Sequence, residues 1–323
     1  MESLVSFSKW LSKWFTVAVI LWAAFNYALP ATSSWVIPNT AYLLGLILFG
    51  MGLTLTTEDF KRIAKRPIPV VLGTVAHYVI MPGLAWLLCM IFHLKGATAA
   101  GVILVGSCPS GTSSSVMAFL SGGDVALDVS IETLSTLLAP LMIPTLSTLL
   151  APLMIPTLLS FLSGQYVSVP AQSLFLSTLR IVVVPIILGV LVHSIFGKKI
   201  DAIIKIMPLI SQAAILLIVG AVVSANHANI FTAATALVIP VVMLHNLCGY
   251  ALGFGFSKIL GLEEPQQKAI TFEVGMQDSS LGATLAMKYF VPQAAIPSTI
   301  FSIWHNISGS ILSSWWKNHS KNN

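Results

Sequence analysis

Charge is what this sequence has least of. Asp, Glu, Lys and Arg make up 8% of its 323 residues and hydrophobic residues 56%, whereas a soluble domain carries roughly 25% charged residues. With a mean hydropathy of +0.90, the chain reads as an all-α polytopic membrane protein, and a soluble globular domain is excluded. Cysteine is scarce too. Cys89, Cys108 and Cys248 all lie in apolar segments and none has C-x-x-C spacing, so they read as packing residues, with neither a disulfide framework nor a zinc site expected. The net charge of +5 is loop charge attracted to anionic lipid, and no nucleic-acid partner is called for. Lys9 and Lys13 precede an apolar run, but no small-residue cleavage site follows and Pro30 ends the run. It reads as a retained first span.

Apolar windows of roughly 20 residues place ten spans, near 14–30, 37–57, 68–92, 97–120, 124–160, 171–196, 202–225, 232–257, 267–289 and 295–316. With the N-terminus inside, thirteen of the sixteen Lys and Arg fall in cytoplasmic segments; Lys95, Arg180 and Lys288 do not. That asymmetry puts both termini in the cytoplasm and favours an even span count. Gly45, Gly50 and Gly52 offer a small-residue face for close helix packing. Trp315, Trp316 and Lys317 read as an interfacial anchor.

Polarity concentrates in two spans. The stretch 269–287 is apolar enough for a bilayer yet holds Glu273, Gln277 and Asp278 in its middle. A carboxylate at that depth costs about 3 kcal/mol or more unless a cation, a proton or water answers it, so intramembrane acids mark ion or substrate paths. The run Val274-Gly275-Met276-Gln277-Asp278 also breaks the helical apolar period, as an interrupted helix would. In the stretch 105–119, Val105-Gly106 is followed by a polar patch with Pro109, Gly111 and Thr112 before an apolar helix resumes. Proline removes an amide donor and frees carbonyls to coordinate a cation. Two interrupted spans in corresponding halves point to the binding site of a secondary transporter. Laying 70–77 on 238–245 brings His77 and His245 into register, weak support for a five-span repeat with opposite orientations. Each histidine reads equally well as a hydrogen-bonded packing group.

Asp124, Asp128 and Glu132 are spaced to form one stripe at the start of span five. Asp124 reads as the helix N-cap. Asp128 and Glu132 lie deeper and repel unless a cation or proton sits between them. Residues 133–144 are then repeated letter for letter as 145–156. Structural repeats do not keep perfect identity, so this tandem copy is either recent or artefactual. At about 1.5 Å per residue, the 37 residues from 124 to 160 would reach roughly 55 Å across about 30 Å of hydrocarbon, with bulging expected at the prolines.

The runs Cys108-Pro109-Ser110-Gly111-Thr112-Ser113-Ser114 and Glu273-Val274-Gly275-Met276-Gln277-Asp278, with Phe49-Gly50-Met51-Gly52-Leu53 and Trp304-His305-Asn306, resemble the bile acid:sodium symporter family over nearly all ten spans. The resemblance implies an inverted five-plus-five fold whose spans four and nine are broken and cross near the midplane. It implies panel helices in 10–57 and 168–226 and core helices in 68–163 and 231–316. Two sodium sites flank the crossing, and an organic anion binds between core and panel. Carried over, Glu273 is shared by both sodium sites; Ser114 joins the first, and Gln277 with carbonyls of Val274 and Met276 the second. Thr112, Gly111, Asp278, His305 and Asn306 face the substrate. Bacterial members resemble carriers of pantoate, ketopantoate and bile acids in the inner membrane.

Several positions depart from the family pattern. Ser115 stands where Asn is common, His77 where Gln is, Asp278 where Asn is, and Asp128 and Glu132 where Ser and Thr are. Three carboxylates exceed the charge of one sodium by two, so a proton-linked first site, or one of mixed proton and sodium occupancy, is expected. No cofactor beyond Na+ and H+ is implied. The leading reading is a cation-coupled symporter of a small organic anion, not an enzyme. An intramembrane aspartyl enzyme with Asp128 and Asp278 as its dyad lacks a catalytic motif. A channel or ligand-sensing receptor is the remaining alternative, and no soluble output domain favours a receptor.

Overall fold

The computed structural model describes residues 2–55, 61, 65, 67–150, 171–228 and 232–319. Among these, regular structure is helical, and the one β-type pairing is an isolated bridge. The helices are α1 (Glu2–Ala28), α2 (Thr40–Thr54), α3 (Pro67–Ile91), α4 (Gly96–Gly106), α5 (Ser113–Ser121), α6 (Val125–Leu150), α7 (Ala171–Thr178), α8 (Val184–Phe196), α9 (Asp201–Asn226), α10 (Ala233–Ile259), α11 (Glu264–Gly275), α12 (Ser279–Tyr289) and α13 (Ile296–His319). Among the described residues, six stretches are long and apolar enough to cross a hydrocarbon core, including Pro67–Ile91, Gln172–Phe196 and Asp201–Asn226.

Local chemistry sets the boundaries. Asp124 stands immediately before α6, and its carboxylate accepts from the Leu127 amide at 3.1 Å, the cap anticipated for it. Glu263 and Gln266 form a reciprocal capping box at the start of α11, where Pro265 supplies no amide to be satisfied. Gly122 ends α5 at φ 76°, the left-handed region that glycine enters without strain. Between α7 and α8 the chain forms a π-helical turn, Leu179–Val183, carrying the exposed Arg180. Pro185 follows at once, and its missing amide removes the bond that would otherwise close the α-ladder there.

Two sets of helices pack around the interrupted segments. The helix α2 lies against α8 and α9, and α1 against α9. At the α2–α8 contact the backbones touch: a Cβ at Gly52 would overlap the Ile186 carbonyl oxygen, and one at Gly189 would overlap that of Phe49. Small residues serve here for backbone approach. Gly45 is looser, its Cβ position lying 3.6 Å from Pro185. On the other side α3 packs on α6, α10 and α11, while α13 packs on α5, α10 and α12. The helix α9 also touches α12 and α13, so the second set meets the first along it.

Two sequence expectations fare differently. Helix α6 contains the whole first copy of the twelve-residue repeat and passes Pro140 and Pro144 without breaking; the second copy from 151 onward, and the rest of span five to 160, lie outside the described residues. Trp315 and Trp316 do not act as one anchor. Trp315 is 51% exposed, whereas Trp316 is buried against the ring of Phe272 at 5.5 Å, because neighbours on a helix point about 100° apart.

Candidate cation and solute site

Helices α4 and α5 are one span interrupted at Ser107–Thr112, and α11 and α12 are one span interrupted at Met276–Asp278. The two breaks meet. Ser110 and Gln277 pair as an antiparallel bridge, with the Gly111 amide donating to the Met276 carbonyl at 3.3 Å and the Asp278 amide to that of Pro109 at 2.8 Å. Backbone groups released by each break are thus satisfied by the other, as apolar surroundings require. Glycine is needed at 111, since a Cβ there would lie 2.6 Å from the Gln277 carbonyl oxygen.

Side chains tie this crossing to its neighbours. The ring of His77, on α3 and fully buried, has Nδ1 2.8 Å from the Glu273 carbonyl oxygen and Nε2 2.9 Å from that of Cys108. Gln277, with its amide nitrogen turned to α4, donates to the Cys108 carbonyl at 2.7 Å and to that of Val105 at 3.2 Å. Asn246 on α10 donates to the Gly275 carbonyl at 2.8 Å and accepts from Ser308 on α13 at 2.6 Å. Neither Asn246 nor Ser308 was singled out for the site from sequence; Asn246 stands beside His245, and Ser308 is one of several serines along α13.

Beside the crossing lies a box of carboxylates. One oxygen each from Asp128, Glu132 and Glu273 falls within 4.8 Å of the others, and all three residues are buried. Ser114, at the start of α5, places its hydroxyl 2.5 Å from Glu273 Oε1 and 3.2 Å from Asp128 Oδ2, and Ser110 donates to Ser114 at 3.4 Å. A hydroxyl has one proton, so Ser114 donates to only one of these carboxylates at a time. Asp128 Oδ1 and Glu273 Oε2 are buried with no hydrogen-bond partner. Among the described residues, no lysine, arginine or histidine pairs with the three acids; Lys268 reaches Glu264 instead, at 2.7 Å.

Other candidates lie apart from the box. Ser115 is half-buried and turns its hydroxyl back to the Thr112 carbonyl at 2.9 Å, and Thr112 is exposed. Asp278 caps α12, accepting from the Leu281 amide at 3.0 Å. Asn306 donates to the Ser302 carbonyl of its own helix at 2.7 Å, and His305 is buried with Nδ1 unpartnered. Val274 and Met276 are fully buried at the break. Between α9 and the α12–α13 pair, Ser279, Ser280, Ser298, Thr299 and Ser302 face Ile218 across a recess whose 10 Å³ for water centres holds about one water. Ser298 Oγ is buried there without a partner.

Described residues that are helical, with six membrane-length apolar stretches among them and buried acids at two crossed, interrupted helices, mark a polytopic membrane protein of the transporter class. The sequence pattern described as the Sodium Bile acid symporter family matches residues 41–233. The uncharacterized sodium-dependent transporter YocS of Bacillus subtilis is 43% identical over 321 residues, covering 99% of this chain and 96% of its own length. The chloroplastic probable sodium/metabolite cotransporter BASS1 of Arabidopsis thaliana is 33% identical, covering 98% of this chain and 78% of its own. The ileal sodium/bile acid cotransporter of Homo sapiens is 31% identical over 78% of this chain and 69% of its own. The chain belongs to the sodium bile acid symporter family.

Proposed function

We propose that this protein is a sodium-coupled symporter of a small organic anion such as pantoate, ketopantoate or a bile acid, working by alternating access in a bacterial inner membrane. The ten-span inverted repeat, the division into panel (10–57, 168–226) and core (68–163, 231–316), and the cytoplasmic termini belong to this proposal. The observation that carries it is the buried Asp128–Glu132–Glu273 box next to the bridge between Ser110 and Gln277. A sodium ion takes hard oxygen donors, and the box offers only oxygens, two of them unpartnered. Glu273, Asp128, Glu132 and Ser114 hold the first cation. Gln277 and the carbonyls of Val274 and Met276 serve the second, where His77 already engages the carbonyls of Cys108 and Glu273.

One sodium leaves two charges of the box unanswered, so protons accompany it, and transport draws on both gradients. Filling the box removes the repulsion among the acids and fixes the crossing. The anion then binds at Thr112 and Gly111, where the amides at the start of α5 carry partial positive charge, and against His305, Asn306 and the serine-lined recess. That recess is closed to anything larger than water in this state, and separation of α9 from α12 and α13 opens it. The test is counterflow of labelled carboxylates in proteoliposomes, with the sodium and pH gradients varied separately. Saturable uptake driven by either gradient is expected; uptake that ignores both would favour a channel.

A further inference from the structure

We propose that the Asp128–Glu132–Glu273 box binds a calcium ion in competition with sodium, an inference that rests on the box being the cation site of the proposed function. The argument starts from charge. Three carboxylates to which no basic side chain pairs among the described residues match a divalent ion better than a monovalent one, since any charge left over stays buried and unpaired at high cost.

Geometry then selects among divalent ions. The three acids bring ligand oxygens within 4.8 Å of one another, close enough to share one ion, whereas magnesium usually keeps several waters and takes only one or two carboxylates. Calcium takes six to eight oxygens in flexible arrangements. The three carboxylates and the Ser114 hydroxyl supply up to seven, and Asp128 Oδ1 and Glu273 Oε2, both fully buried, have nothing else to bond. No nitrogen or sulfur donor joins the three acids in the cluster, which disfavours zinc or copper.

Calorimetric titration of the purified protein in detergent with calcium chloride, in choline buffer, tests this. One calcium per chain is expected, with magnesium binding at least about tenfold more weakly and excess sodium chloride raising the apparent Kd for calcium. The double variant Asp128→Ser/Glu132→Thr should lose the titration, and Glu132→Gln, nearly the same shape, should weaken it while the protein still elutes as a folded species. No calcium heat in the parent, magnesium binding as tightly as calcium, or undiminished binding in the double variant would overturn the proposal. Sodium-driven uptake without calcium binding would sink this inference alone, and calcium binding without any uptake would sink the transport reading instead.

Discussion

The Nδ1 of His77 lies 2.8 Å from the main-chain oxygen of Glu273, so a side chain of α3 holds the break in α11 directly, while the same ring reaches the break after α4 through Cys108 at 2.9 Å. A neutral ring donates to only one of these carbonyls at a time, and Gln277 also serves that of Cys108. Removing the ring thus takes its donor from the Glu273 carbonyl, and an unsatisfied buried acceptor costs about 1–3 kcal/mol. His77→Ala should therefore lower the melting temperature in detergent clearly. His77→Gln, whose amide nitrogen carries two donors, should recover part of the loss. An alanine variant that melts like the parent would show that the ring does not secure the crossing.

Glu273 faces the carboxylate box with its side chain and the crossing with its backbone. Its carboxylate meets Ser114 at 2.5 Å, while its carbonyl meets His77. Glu273→Ala should abolish uptake and leave the melting temperature within a few degrees, because the carbonyl is kept. Glu273→Gln should also fail in transport despite keeping the Ser114 hydrogen bond. Uptake at parental rates in the glutamine variant would mean that the charge at 273 is not used.

The two interrupted spans were legible because Pro109, Gly111, Gly275 and the acids beside them cannot continue an apolar helix, and Asp124 was legible because caps follow local rules. The direct pairing of Ser110 with Gln277 was not, since two loops 167 positions apart carry no mark of each other. His77 and His245 match in register, but their tasks differ: His245 Nε2 meets the Met81 carbonyl at 2.9 Å within the packing of α3 and α10, and its ring lies against Gly106 at the end of α4 instead of bonding to the carbonyls of the breaks. The family resemblance set Ser115 beside Ser114 at the first cation site. Adjacent residues on α5 face different ways, so only Ser114 reaches the acids. The π-turn at Leu179–Val183 has no compositional signature apart from the proline after it.

The contact of α2 with α8 permits no side chain at Gly52 or Gly189, where a Cβ would meet backbone carbonyl oxygens, atoms that cannot rotate away. Overpacking of this kind costs typically about 1–3 kcal/mol. Gly52→Ala and Gly189→Ala should each destabilise by that order, and Gly45→Ala, with 3.6 Å of room, should not. Thermal unfolding of the three variants side by side checks the ranking; a Gly45→Ala loss equal to the others would put the tight contact elsewhere.

Asp278 combines a structural task with a charge that repels an anionic solute. Its carboxylate caps α12 at the Leu281 amide, and asparagine caps about as well, whereas alanine costs typically about 1 kcal/mol. Asp278→Asn should keep the melting temperature and lower the KM for a carboxylate substrate. Asp278→Ala should lose stability as well. If the asparagine variant raises KM, the acid contacts the solute favourably and the substrate is neutral or zwitterionic instead of anionic.

Under the proposed mechanism the box decides which gradient does the work. With Asp128 and Glu132 present, three acids share a space spanned by 4.8 Å and one Ser114 proton, so a single sodium leaves charge that protons must cover. Replacing both by Ser and Thr keeps oxygen donors but leaves Glu273 as the sole acid, whose one charge a sodium ion balances alone. Asp128→Ser/Glu132→Thr should consequently keep a sodium requirement while losing response to an imposed pH gradient, measured as labelled-carboxylate uptake into proteoliposomes under separate sodium and proton gradients. If the double variant responds to pH as the parent does, the protons enter at a different group, and the two extra acids have no part in coupling.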